Sequence, residues 1–296
     1  MPTLEELNKL YATDSINFQV GEGGLPKCTI THPNATAEFY LNGGHMTHFQ
    51  PTEHQPVLWM SSESKFEAGK PIRGGIPICW PWFGQAVEEN RPQHGFARNI
   101  NWTVVQTQET FDFVTIELKI ESNAETKSIW PHSFELKLRF EIGKKLSIEL
   151  ETRNTGAASF RIGTAIHSYF NVTDASNIEL SGLDQVDYID QLDNNLPKQQ
   201  QGEIKIREEI DRVYIESGHQ VSIVDRTMNR VIKIKKSGSQ STVVWNPWIS
   251  KANRMADFPD DGYRTMVCVE TANAFTDVRE IAPDEQHVIM QKISVA

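Results

Sequence analysis

Apolar residues recur at two different spacings along this chain, and the change of period divides it. Near the start, Leu4, Leu7 and Leu10 or Tyr11 fall at helical spacing behind Thr3 and Glu6, a T-x-x-E capping box. That pattern predicts a short N-terminal helix laid against the main body. Beyond it the period becomes two. Ala37, Phe39 and Leu41, then Val57 and Trp59, predict early strands around a Gly43-Gly44 turn. The alternation is clearest in the middle of the chain, where Val114, Ile116, Leu118 and Ile120 alternate with polar residues. Phe134, Leu136, Leu138 and Phe140 stand opposite Glu135, Lys137 and Arg139, and Leu146, Ile148 and Leu150 repeat the pattern. Strands of this kind bury one face each, as antiparallel sheets do. An Asn154-Thr-Gly156 turn follows, with further strands expected over 160–170, 204–208, 220–225, 230–235, 243–245, 265–270 and 285–294. Many short strands joined by turns predict an all-β sandwich or barrel. No linker, repeat or low-complexity tract divides the chain, so 1–296 is read as a single domain.

One segment obeys neither period. Over 71–102 the sequence PIRGGIPICWPWFGQAVEENRPQHGFARNINW mixes conformationally free Gly74 and Gly75 with Pro77, Pro81 and Pro92, which fix φ and remove amide donors. It reads either as a loop covering the core or as a preformed pocket wall. In the second case Trp80, Trp82 and Phe83 supply apolar surface, and Arg73, Gln93, His94 and Arg98 supply polar groups.

Composition narrows the partners. A formal net charge of −10 argues against nucleic acid or an anionic membrane, though a few arginines suffice to make a local anion pocket. Cys28, Cys79 and Cys268 are odd in number and far apart, which reads as reduced thiols. The first residues lack the basic and apolar regions of a signal peptide, and no stretch approaches the roughly 18 apolar residues of a membrane span. A cytoplasmic protein is the expectation, with a monomer as the default.

Four groups carry candidate chemistry. His167, in Thr164-Ala-Ile-His-Ser-Tyr-Phe170, would share a strand face with Gly163 and Ala165, small residues that leave room for a ligand. It reads as that or as a hydrogen-bonded histidine on a half-buried face. Glu270 ends an apolar run and is either a solvated strand end or a buried base with a raised pKa. Asp211 is a third candidate, with an ordinary loop aspartate as the alternative. Arg73 and Arg98 form the fourth, a pair able to grip a phosphate. The WNPW run from Trp245 to Trp248 reads as structural. His45 and His48 lie three apart with no third ligand at zinc spacing, so no metal is expected. Neither an HExxH, a GxSxG elbow, a P-loop nor a dinucleotide fingerprint occurs.

The runs RGGIPICWPWFG (Arg73 to Gly84) and QHGFARN (Gln93 to Asn99) resemble the glucose-6-phosphate 1-epimerase family of the aldose 1-epimerase superfamily. Further matching motifs follow in order at Ile166 to Phe170, Asp211 to Tyr214, Val244 to Trp248 and Met266 to Ala272, so the resemblance spans about Leu41 to Ala274. It implies a galactose-mutarotase-like antiparallel β-supersandwich. It also implies that His167 and Glu270 are catalytic and that Arg73, Gln93, His94, Arg98 and Asp211 contact the substrate. The implied reaction interconverts the α and β anomers of a hexose 6-phosphate, with no cofactor. Glu270 would take the C1 hydroxyl proton while protonated His167 serves the ring oxygen. An aldose 1-epimerase of unphosphorylated sugars and a non-catalytic sugar-phosphate-binding protein are the alternatives. The resemblance leaves the parts played by Trp80, Trp82, His45, His48 and Lys251 open.

Overall fold

The computed structural model describes residues 2–86 and 91–296, so four positions of the irregular segment, 87–90, lie outside the described residues. Thr3 Oγ1 accepts the Glu6 amide while the Glu6 carboxylate accepts the Thr3 amide, and this reciprocal cap opens helix α1 (Leu4–Tyr11). Leu7 is buried and Tyr11 packs on the core, whereas Leu10 stays exposed. The Asn8 side chain bonds both backbone groups of Phe18 and so ties the helix to β1 (Ile16–Val20).

That strand begins a four-stranded antiparallel sheet with β2 (Pro26–His32), β3 (Ala35–Tyr40) and β4 (His45–Pro51). Gly43 and Gly44 turn the chain between β3 and β4 at positive φ. After the short β5 (Ile78–Cys79) come the clearest alternating strands, β6 (Thr103–Glu109), β7 (Phe113–Glu121), β8 (Phe134–Gly143) and β9 (Lys145–Asn154). A one-and-a-half-turn helix α2 (Ala124–Ile129) sits between β7 and β8. The charged faces of these strands carry cross-strand pairs such as Lys119–Glu135 and Arg139–Glu149, solvent-facing contacts that contribute little each.

The predicted strand over 160–170 is interrupted twice, giving β10 (Phe160–Ile162), β11 (Thr164–Ile166) and β12 (Tyr169–Asn171). The cause lies in the irregular segment. The Gly163, His167 and Tyr169 amides donate to the carbonyls of Pro81, Pro77 and Gly75. A proline offers a carbonyl but no amide, so a regular two-way ladder cannot form there. The rest of the chain gives β13 (Glu179–Ser181), β14 (Asp187–Asp190), β15 (Leu196–Gln199), β16 (Ile210–Tyr214), β17 (Gln220–Asp225), β18 (Arg230–Ser237) and β19 (Ser241–Asn246). The five-residue helix α3 (Trp248–Ala252), β20 (Met266–Asn273), β21 (Arg279–Ile281) and β22 (Gln286–Val295) complete it. The strands expected over 57–59 and 204–208 shrink to single bridges, Leu58 to Phe170 and Leu180 to Ile204.

Among the described residues, two eight-stranded sheets dominate. One runs β13-β17-β18-β22-β9-β8-β7-β6; the other runs β15-β14-β16-β19-β20-β11-β5, with β12 also on β20. All their strand pairs are antiparallel. One core cluster joins the apolar faces of β7, β8 and β9 to Ile166, Val244, Val267 and Val269 of the second sheet. Strand β20 is buried along its whole length. Val267 and Val269 serve the core on one face, which leaves Cys268, Glu270 and Ala272 on the other.

Candidate functional site

Register assembles the site on that other face. Glu270 lies opposite Val243, and Cys268 lies opposite both Trp245 and Tyr169. One strand further, Asp211 pairs with Trp245. Because side chains alternate across a strand, Asp211, Trp245, Cys268, Glu270 and Tyr169 emerge on one surface. His167 occupies the gap between β11 and β12, beside the same surface. Its ring stacks on Tyr169 at 4.9 Å and 9° and meets the Trp245 ring edge-on. His167 Nε2 stands 3.4 Å from Glu270 Oε1. Both residues are buried, at 8% and 2% exposure.

The irregular segment forms the opposite wall. The His94 amide donates to Gly84 O and the Gly84 amide donates to His94 Nδ1, a reciprocal clasp that holds His94 at φ 62°. Since Nδ1 accepts, Nε2 carries the ring proton. A non-glycine residue at that φ is strained and persists only where its surroundings require it. Arg98 donates through Nη2 to Gln93 O, and its buried Nε has no partner among the described residues. Arg73 binds Asp257 through Nε and Nη2 and the Tyr169 hydroxyl through Nη1, at 3.1 Å each.

A cavity of about 330 Å³ lies between these walls. Arg73, Gln93, His94, Arg98, His167, Asp211 and Glu270, the seven residues singled out in the sequence, all line it. Several aromatic expectations change. Trp80 is fully buried core, its Nε1 donating to Thr152, and does not face the cavity. Trp82 lines a neighbouring cavity, while Phe83 borders both. Trp245 proves to be cavity floor, not simply structural closure. His45 is buried beneath the wall with Nε2 donating to Gly74 O, and His48 bonds Thr36 at the surface. Lys251 does line the cavity, 3.3 Å from Glu209 and 3.6 Å from Asp211.

Tyr169, Gln191 and Lys251 joined the site only in three dimensions. Tyr169 had a sequence signal, because it alternates with His167. Gln191 had none: it enters from the turn after β14, its Nε2 donating to Asp211 Oδ1 at 2.6 Å.

The electrostatics separate the two central groups. Burial pushes Glu270 well above the usual carboxylate range and nearby Asp211 adds to the shift, while Arg98 opposes it. Burial holds His167 well below the usual imidazole range, helped by His94, Arg98 and Arg73. Both shifts favour the neutral forms, a carboxyl group beside an uncharged imidazole. Burial and the same two arginines bring His94 down to about 3, and burial raises Asp211. As for metals, one trio of donors occurs among the described residues, His167, Cys268 and Glu270, with ligand atoms within 4.8 Å of one another.

Comparison with known proteins bears on the family and the fold. The family model described as aldose 1-epimerase matches residues 26–294. An Escherichia coli K12 protein provisionally named glucose-6-phosphate 1-epimerase is 34% identical over 298 residues, covering 100% of this chain and 97% of the relative. A similarly named protein of the plant Cenchrus ciliaris is 37% identical over 260 residues, 84% of this chain and 78% of its own. Among solved structures, a Salmonella typhimurium protein described provisionally as a mutarotase superposes with a TM-score of 0.91 at 35% identity, over 97% of this chain and 95% of that one. A galactose mutarotase-like protein of Clostridium acetobutylicum shares the fold, with a TM-score of 0.71 at 15% identity over 95% and 98% of the two chains.

Proposed function

The chain belongs to the aldose 1-epimerase family and is an isomerase, and from that premise we propose that it interconverts the α and β anomers of a hexose 6-phosphate, glucose 6-phosphate first among them. The observation that carries the reading is the 3.4 Å contact between His167 and Glu270 in a cavity that also contains Arg73 and Arg98. Opening a pyranose ring needs a base at the C1 hydroxyl and an acid at the ring oxygen; after rotation about C1–C2, reclosure reverses the roles. An adjoining carboxyl and imidazole that share one proton suit both halves. General acids and bases typically give about 10²–10⁴-fold each, and ring opening proceeds unaided in water, so two such groups suffice.

Glu270 is the base and His167 the acid, which requires the shared proton on the imidazole. Burial is the main force keeping that proton off, and a phosphate dianion held by Arg73 and Arg98 offsets the part those two charges add. The substrate's own phosphate thus prepares the pair. Asp211, Gln93 and His94 line the remaining cavity wall and hold the sugar hydroxyls.

The Arg73–Asp257 pair favours a second reading, an epimerase of unphosphorylated aldoses, because one guanidinium is already partnered. Anomer exchange followed by NMR on α-glucose 6-phosphate and on α-glucose separates the two. The phosphorylated sugar should be strongly preferred. Arg98→Ala should lower kcat/KM for it by about 10–100-fold, the worth of a charge-assisted hydrogen bond, and leave glucose nearly unaffected. Equal rates on both sugars, unchanged in Arg98→Ala, would favour the second reading.

A further inference from the structure

Cys268 has no task in that mechanism. It precedes Glu270 by two residues on the same face of β20 and is wholly buried. Its Sγ, a ring nitrogen of His167 and a carboxylate oxygen of Glu270 lie within 4.8 Å of one another. Within the trio, His167 Nδ1 and Glu270 Oε2 are buried without hydrogen-bond partners among the described residues. Such orphans are uncommon in folded proteins and point to an unmet ligand. Sulfur, imidazole and carboxylate are zinc donors, and a site with three protein ligands keeps a fourth position for water. Bond lengths of about 2.0–2.3 Å in a tetrahedral site put the donors roughly 3.3–3.8 Å apart, so binding draws the trio together by up to about 1–1.5 Å. The thiolate selects soft cations over magnesium or calcium.

We propose that His167, Cys268 and Glu270 form a binding site for a thiophilic divalent cation of the zinc or cadmium class. Coordination expels the thiol and carboxyl protons to solvent while neutral His167 lends a lone pair. A dication then balances two anionic ligands, so the buried complex stays neutral. Occupancy takes both groups that ring opening needs and inhibits the enzyme; only this consequence rests on the epimerase reading.

The test titrates the whole chain with cobalt(II) and with zinc chloride, without sugar. One equivalent should bind, with cobalt showing a thiolate-to-metal charge-transfer band. Cys268→Ser, which keeps the volume, and Cys268→Ala should both lose the band. Each should weaken zinc binding by at least the roughly 10–100-fold that even outer partners of a metal site command. Cys28→Ala, on the four-stranded sheet, should keep both. Stoichiometric zinc should stop anomer exchange in the unaltered protein and not in Cys268→Ser. Absence of the band at one equivalent, or its persistence in both Cys268 variants, overturns the proposal. A protein that shows the band but exchanges no anomers would overturn the function and leave the site standing.

Discussion

His45, His94 and His167 are three imidazoles kept neutral by burial, and each makes folding depend on pH. His45 is the cleanest case, because it lies outside the cavity and donates from Nε2 to Gly74 O. Burial brings it down to about 3 against an ordinary value of 6.5. The unfolded chain therefore takes up a proton as pH drops through 6.5, which the folded chain refuses until much lower. The contribution is present above 6.5 and lost as pH falls, amounting to about 2 kcal/mol at pH 5 from 1.4 kcal/mol per pH unit. His45→Gln preserves a donor for Gly74 without a titrating ring. Urea melts at pH 7.5 and 5 should show the acid loss of stability reduced by about that amount. An unchanged difference between the two pH values would contradict the assignment. Nothing in the sequence around His45 distinguished it from surface His48; only burial does.

At the scale of elements, alternation was legible because it records one-sided burial, and β7, β8, β9, β17, β18, β20 and β22 fall within a few residues of their expected spans. The interrupted strand around His167 was not legible as such. Its breaks are caused by Pro77 and Pro81, more than 80 positions earlier, and no local pattern carries that information. Tertiary placement likewise hid Gln191, whose partner Asp211 lies 20 positions on, and disguised Trp80, whose placement in core or wall depends on which way the irregular segment turns. Gly95 governs that turn. It sits at φ 74°, and a Cβ there would meet Trp80 O at 1.9 Å, where the Phe96 and Ala97 amides now bond. Gly95→Ala should displace the His94–Arg98 wall, raising KM for the sugar phosphate while thermal unfolding moves to lower temperature. A variant with wild-type KM and midpoint would show that this wall tolerates movement and that its rigidity is unimportant.

At the scale of the molecule, two sheets share one core and the second offers its outer face to the cavity. An imidazole and a carboxyl group about a hundred positions apart are adjacent because β11 and β12 both pair with β20. The chain as a whole is acidic, at −10, and Arg73, Arg98 and Lys251 bring positive charge to the cavity. The seven candidate residues were legible because types suited to this chemistry stand in family motifs; their convergence comes from strand register for Asp211 and Glu270, from the gap between β11 and β12 for His167, and from the course of the irregular segment for the other four. The most direct test of that convergence compares anomer exchange of glucose 6-phosphate, by magnetisation transfer at equilibrium, between the unaltered protein and Glu270→Gln. The account predicts exchange well above buffer for the former and a fall of about 10²-fold or more for the latter, with circular dichroism unchanged. Exchange undiminished in folded Glu270→Gln would contradict it.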